Sequence, residues 1–346
     1  MGRNDVVEPV VVVLVDEQNA EAPVGLPVER VEQPAELLDS ADRRDDEVES
    51  HGLTLTPMPL VSVLMSVHDD AAFVGEAVES VLGQTLGDLE LLVVDDGSAD
   101  ATPDVLAGFT DSRVTVLRND AVLGLATSLN RGLDAAQGRY VARLDADDVA
   151  LPDRLARQVE RLHARPAAAA VGTAVIDVDA RGRRGRTHVM PRGARLLRWQ
   201  ALFSSPFFHP TVLVDRELLD SHGLRYDPSF LESEDYDLWT RLFAFADGDN
   251  LPQALVLKRV HGAQASQRRS DLQQSFQQRV AVREIGRLAP GVAAEPAWRV
   301  GARKPAPLGA RKEFLRLLAA FDRKHGRDAG VWGAAFRAVV SPRRRA

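Results

Sequence analysis

Apolar residues recur along this chain in short blocks, and their spacing switches between two periods. Val61–Val67 is a β-branched run of strand length, Leu91–Val94 is a second strand, Val114–Leu117 a third and Tyr140–Leu144 a fourth. Between them the spacing turns helical. Phe73, Ala77 and Val81 share a face over Phe73–Leu82, and Val105 and Phe109 follow a turn and cap at Gly97-Ser98. Leu125, Leu129 and Leu133 share a face over Leu123–Ala136, which Gly138 stops, and Pro152 opens a helix running to His163. Strands apolar on both faces, alternating with helices of about ten residues, predict a mostly parallel α/β sheet covered on both sides.

The order loosens after Ala167. Ala170–Val178 predicts a strand, Arg181–Gly185 an exposed turn, Thr211–Val214 a strand, Tyr236–Phe245 a helix and Leu255–Val260 a strand. Beyond Ser266 the pattern is helical, with breaks near Pro290 and over Lys304–Gly309. Residues 1–57 show little periodicity. They predict one strand, Pro9–Val15, within an extended and partly disordered acidic leader.

Composition adds exclusions. Hydrophobic residues make up 45% and charged residues 27%, so a sizeable core is expected. The net charge of −7 argues against a general nucleic-acid binder. The absence of cysteine excludes disulfides, thiolate catalysis and Cys-ligated zinc. No apolar run reaches transmembrane length, and the run Val10–Val15 is too short for a signal peptide, so a cytoplasmic location is expected. The charge is polarised: residues 1–57 hold 14 acidic and 4 basic side chains, whereas 301–346 hold 12 basic and 3 acidic.

The chemistry lies in where the acids fall. Leu91–Val94 runs into Asp95-Asp96-Gly97-Ser98, and Tyr140–Leu144 into Asp145-Ala146-Asp147-Asp148. Ligands of open parallel sheets bind outside the carboxyl ends of the strands, so both clusters should face one crevice. Carboxylates crowded there need a cation, and hard oxygen ligands point to Mg²⁺ or Mn²⁺ bridging a nucleotide diphosphate. Turn and cap chemistry for Asp95–Ser98, and an acidic helix start for Asp145–Asp148, are the plainer readings of each motif alone.

Residues 59 to about 266 resemble the family 2 glycosyltransferases, an inverting family of GT-A (Rossmann-like) fold. The matching stretches are PLVSVLMSVHDDAAFVGEAVESVLGQT, ELLVVDDGSAD, NDAVLGLATSLNRGLDAAQGRYVARLDADD with LPDRL, and FLESEDYDLWTRL. The resemblance implies a sugar moved from a nucleoside diphosphate donor, UDP-linked by expectation, to an acceptor hydroxyl. It implies that Ser66, Val67 and His68 bind the base, with His68 in place of the usual Tyr and Asp69 in place of Asn. Asp96 resembles the carboxylate that accepts from the base. Of Asp145, Asp147 and Asp148, one should contact the ribose, and Asp147 or Asp148 should ligate the metal. Asp235 resembles the catalytic base, which inverting transfer needs opposite the leaving group. His261 resembles a late histidine that approaches the metal or diphosphate.

The expected organisation is therefore a leader (1–57), a catalytic domain (58–266) and a basic helical extension (267–346). The catalytic domain divides into a nucleotide-binding half (58–165) and an acceptor-binding half (166–266). His209 either lines the acceptor pocket or packs, and Phe243 and Phe245 read as core. In the extension, Phe314, Leu317, Leu318 and Phe321 form a helical stripe ringed by cations, and Trp332, Phe336 and Val340 repeat it. Such a helix either packs on the catalytic domain or touches an anionic membrane from the cytoplasmic side. The competing functions are a sugar-1-phosphate nucleotidyltransferase, which would need a Gly-rich loop where Ser66–Asp70 stands, and a non-catalytic nucleotide-sugar-binding module. Acceptor identity is not readable, whether glycan, lipid-linked, peptide or small molecule.

Overall fold

The computed structural model describes residues 58–260 and 270–340. The expected strand Pro9–Val15 and His261 lie outside them. The element order begins β1 (Val61–Val67), α1 (Val74–Leu82), β2 (Leu89–Asp95), α2 (Thr102–Ala107), β3 (Val114–Arg118), α3 (Leu125–Ala135) and β4 (Tyr140–Arg143). Then come β5 (Val149–Ala150), α4 (Arg154–Ala164), β6 (Ala168–Val178), β7 (Arg184–His188), α5 (Ala194–Gln200), β8 (Leu213–Asp215), α6 (Arg216–Ser221), α7 (Glu234–Leu242) and β9 (Asp247–Arg259). Four helices follow: α8 (Ser270–Leu288), α9 (Ala294–Gly301), α10 (Ala310–His325) and α11 (Ala329–Val340).

One nine-stranded sheet runs β3-β2-β1-β4-β8-β6-β9-β5, with β7 paired to β6. Its first four strands are parallel; β8 is antiparallel to both β4 and β6, and β9 runs parallel to β6. Alternate residues of each strand face opposite sides. Val61, Val63, Met65 and Val67 of β1 pack with α1 and α4, whereas Leu64 packs with α3 and α7. Both faces are covered, which is why these strands read as continuous apolar runs rather than as alternation.

Several elements depart from the sequence reading. β9 starts eight residues earlier than expected, because Gly248, Asn250 and Pro252 hide its first half. β5, β7, α5 and α6 were not expected: they are short, and the exposed β7 carries no apolar signal. Leu125 is exposed, and α3 turns Ala126, Ser128, Leu129 and Leu133 inward instead. Phe243 is buried as expected but Phe245 is not; it stacks on His222 with ring centroids 3.9 Å apart.

The extension packs onto the rest of the chain. Phe314, Leu317, Leu318 and Phe321 of α10 share a core with Trp199, Leu202 and Phe203. Trp199 meets Phe314 and Phe321 edge to face at 5.6 and 5.2 Å. The apolar stripe of α10 is therefore covered by protein, not open to a membrane. In α11 the covered face is Val331, Ala335 and Ala338, and Trp332, Phe336 and Val340 are exposed. Small side chains allow α11 to approach closely, and that rotates the larger ones outward.

Candidate active site

The carboxyl ends of β1, β2 and β4 form one rim, since Val67 lies beside Asp95 and Leu64 beside Arg143. At the β2 end, Asp95 accepts from the Ser98 amide at 2.9 Å, closing the turn. Gly97 has φ of +68°, and a Cβ there would lie 2.8 Å from the Ala121 carbonyl carbon, so only glycine passes the chain at this point. Asp96 is buried, and its oxygens are held by Asn119 Nδ2 (2.7 Å) and by the amides of Leu123 (2.8 Å) and Gly124 (2.9 Å). Burial opposes its ionisation, but these hydrogen bonds outweigh it and lower its pKa. Asp96 is thus a fixed anion at the foot of α3.

The residues expected to bind the base divide. Val67 lies in the core, and its carbonyl accepts from the Asp96 amide at 2.8 Å, so it contributes scaffold rather than a side-chain contact. Ser66 is half-buried. His68 is exposed at the rim, its Nδ1 2.9 Å from the Asp96 carbonyl, which steadies the ring and leaves a face open for stacking. Asp69, at φ of +50°, accepts from the amides of Ala99 (2.7 Å) and Asp100 (3.2 Å) and so joins the first strand's end to the second's.

The second cluster is compact. Oxygens of Asp145, Asp147 and Asp148 all lie within 4.8 Å of one another. Asp148 is 1% exposed; its Oδ1 accepts from the Arg259 amide at 2.8 Å, whereas its Oδ2 has no partner among the described residues. Burial, and then the charges of Asp145 and Asp147, push its pKa well above the ordinary carboxylate range. A buried orphaned oxygen on a carboxylate of this cluster is what a hard divalent cation would satisfy, so the donor set fits Mg²⁺ or Mn²⁺.

Three arginines absent from the sequence reading organise this centre. Arg143 is buried and paired with Asp145. Arg154 is wholly buried and donates to the Arg143 carbonyl and to Gln158, and burial pushes its pKa down to about 9. Arg259 closes β9 onto the Asp147 carbonyl (2.8 Å) and Glu76 (2.6 Å), with its guanidinium 4.4 Å over the Phe73 ring. The available signal was a lone cation inside or ending an apolar strand, as in Tyr-Val-Ala-Arg-Leu.

Asp235 lies in the first turn of α7, whose inner face is Leu238, Trp239 and Leu242 as expected. The helix N-terminus favours its anion. Its Oδ2 accepts from Ser205 Oγ at 3.1 Å. Burial raises its pKa; the Tyr236 amide, Ser205 and Arg143 oppose the rise, and the Asp145 charge adds to it. The charge of Asp145, one member of the aspartate cluster, therefore acts on Asp235. Beside it, Glu234 is 7% exposed and pushed up to about 8, by burial first and by Asp235 second. His209 packs behind them, 2.9 Å from Tyr226 Oη and 3.8 Å from Glu234. Burial and the Arg143 charge hold it neutral. Asp237 is gripped by Arg241 (2.8 Å) and Arg283 (2.5 Å), so it is not available as a base.

A mixed sheet, parallel in its first four strands and covered by helices, with acid clusters at the ends of β2 and β4, defines an α/β enzyme fold of GT-A type. The sequence model of glycosyl transferase family 2 matches residues 62–223. EpsE of Bacillus subtilis, named as a glycosyltransferase, is 32% identical over 219 residues, covering 61% of this chain and 77% of that protein. An uncharacterised glycosyltransferase of Haemophilus influenzae is 29% identical, covering 60% of this chain and 68% of that one. The succinoglycan biosynthesis protein ExoO of Rhizobium meliloti is 35% identical, covering 52% and 55%. Among solved structures, S. aureus TarS 1–349 in complex with UDP aligns with a TM-score of 0.54 at 18% identity, covering 77% of this chain and 80% of that one. The mannosyltransferase PcManGT of Pyrobaculum calidifontis, in complex with GDP-Man and Mn²⁺, gives 0.52 at 20% identity, covering 83% and 81%. The chain belongs to glycosyl transferase family 2 and is a glycosyltransferase of GT-A fold, not a nucleotidyltransferase or a bare binding module.

Proposed function

We propose that this enzyme moves a sugar from a nucleoside diphosphate sugar, UDP-linked, to an acceptor hydroxyl with inversion, using Mn²⁺ or Mg²⁺. The observation that carries this reading is the orphaned Oδ2 of Asp148 in a cluster with Asp145 and Asp147, with the Asp145 charge acting on Asp235. Asp147 and Asp148 would hold the cation, which would supply charge neutralisation at the leaving diphosphate. Arg143 fixes the Asp145 carboxylate, leaving it to orient the ribose. Asp96 and the exposed face of His68 receive the base. Asp235, steadied by Ser205, takes the acceptor's proton as the new glycosidic bond forms.

The similarity to ExoO supports a place in polysaccharide or glycoconjugate synthesis. The proposed organisation is a catalytic domain over 58–266, with nucleotide-binding and acceptor-binding halves meeting at 165, followed by the helical extension. Among the described residues no helix is long and apolar enough to cross a membrane. A peripheral contact would use the exposed Trp332, Phe336 and Val340 face of α11, flanked by Arg327 and Arg337.

The test is thermal shift with UDP-glucose, UDP-N-acetylglucosamine and GDP-mannose, each with Mn²⁺. At least one should stabilise the protein and lose the effect in excess chelator. Stabilisation undiminished by chelator would remove the metal role of Asp147 and Asp148, and no response to any donor would remove the donor assignment.

A further inference from the structure

A cavity of about 420 Å³ lies where the helical extension meets the loop after α5. It is lined by edges of the otherwise buried Trp199, Phe203, Trp298 and Phe314, by Gln200, Ser204 and Gln277, and by Arg303 and Lys304. Two links tie it to the base. Its Ser204 wall adjoins Ser205, whose hydroxyl meets Asp235. Gln277 stands one turn along α8 from Gln273, whose carbonyl faces Ser233 Oγ at 3.5 Å, just ahead of α7.

Among the described residues the charge of this cavity has one sign: two cations line it and no acid does. The guanidinium of Arg303 makes no ion pair or hydrogen bond among the described residues, and its backbone is left-handed, φ +53°. This is the C-terminal cap of α9, in which the Lys304 amide donates to the Arg299 carbonyl at 2.7 Å and the Arg303 amide to the Val300 carbonyl at 3.0 Å, and it sets both cations at the helix end. Lys304 places its ammonium 5.3 Å over the Trp298 ring. The amide and hydroxyl groups of Gln200, Gln277 and Ser204 can hydrogen-bond the hydroxyls of a sugar, and paired cations suit a phosphate or carboxylate.

We infer that this cavity is an acceptor subsite, and that the acceptor carries an anionic group bound by Arg303 and Lys304. The inference rests on the transferase reading above, and it means that the extension completes the acceptor half of the site.

The experiment uses the full chain saturated with UDP and Mn²⁺. Methyl glucuronide, glucose 1-phosphate and neutral methyl glucoside are titrated in, with binding read from tryptophan fluorescence, since Trp199 and Trp298 line the cavity. At least one anion should saturate, with methyl glucoside at least about tenfold weaker, the effect of one charge-assisted contact. The stronger anion identifies the group as carboxylate or phosphate. Arg303→Gly accepts the positive φ without strain, and Lys304→Gln keeps the chain length; each should weaken the anion at least about tenfold with UDP affinity unchanged. Equal binding of charged and neutral sugars, no saturable anion binding, or variants that bind anions like the parent would overturn the inference while UDP binding stands. Failure of UDP itself to bind the parent protein would instead overturn the transferase reading.

Discussion

Glu234→Gln should change how the stability of this protein depends on pH. Glu234 is 7% exposed and its pKa rises from 4.5 to about 8, because burial penalises the anion and Asp235 adds like charge. The native state thus keeps a proton that the unfolded chain gives up. Stability from this group is full below pH 4.5 and is lost as pH rises through about 8. Integrated between about pH 5 and pH 8, the loss is about 3–4 kcal/mol. In a domain this large that is about 6–10 °C in melting temperature. Gln keeps the shape and the polar contacts but cannot ionise. The assay is thermal or urea unfolding of both proteins across that range. The variant should be close to the parent near pH 5 and clearly more stable near pH 8. Parallel profiles would show that Glu234 ionises normally in the fold and would refute the argument.

Asp235→Asn should lower transfer by about 10²–10⁴-fold while donor affinity moves little, measured as turnover beside donor binding; near-normal turnover would shift the base to Glu234. Asp148→Asn should instead weaken Mn²⁺-dependent donor binding together with rate, because it removes the orphaned anionic oxygen, and donor affinity equal to the parent's in Mn²⁺ would count against that role. Phe314→Ala should cost about 3–5 kcal/mol in denaturant unfolding, since this ring is fully buried among Trp199 and Phe203; a cost under 1 kcal/mol, on the order of a surface change, would mean the extension is loosely attached. Flotation with anionic vesicles at low salt should carry the protein up, and Trp332→Ser with Phe336→Ser should abolish this; equal flotation of the double variant would exclude α11 as the contact.

The sequence by itself determined the parallel half of the fold and the identity of the acids. Strands buried on both faces must be apolar throughout, and acids at their ends have nowhere to go but the rim. Val61–Val67, Leu91–Val94 and Tyr140–Leu144 therefore announced both the sheet and Asp96, Asp145, Asp147 and Asp148. The Asp235 helix was legible from its acidic first turn and apolar inner face. Tertiary structure alone decided the rest. Arg143, Arg154 and Arg259 are charged, and charge in sequence reads as surface; only packing shows that each is buried with a carbonyl or carboxylate to hold. Asp235 and Asp237 stand two residues apart with the same chemistry. One faces Ser205, thirty residues back, and the other is clamped by Arg241 of its own helix and by Arg283 of α8, over forty residues further on. The stripe on α10 and the repeat on α11 look alike along the chain, yet one is covered by Trp199 and Phe203 and the other is exposed. Periodicity fixes which residues share a face, but the partner that covers the face comes from a distant part of the sequence.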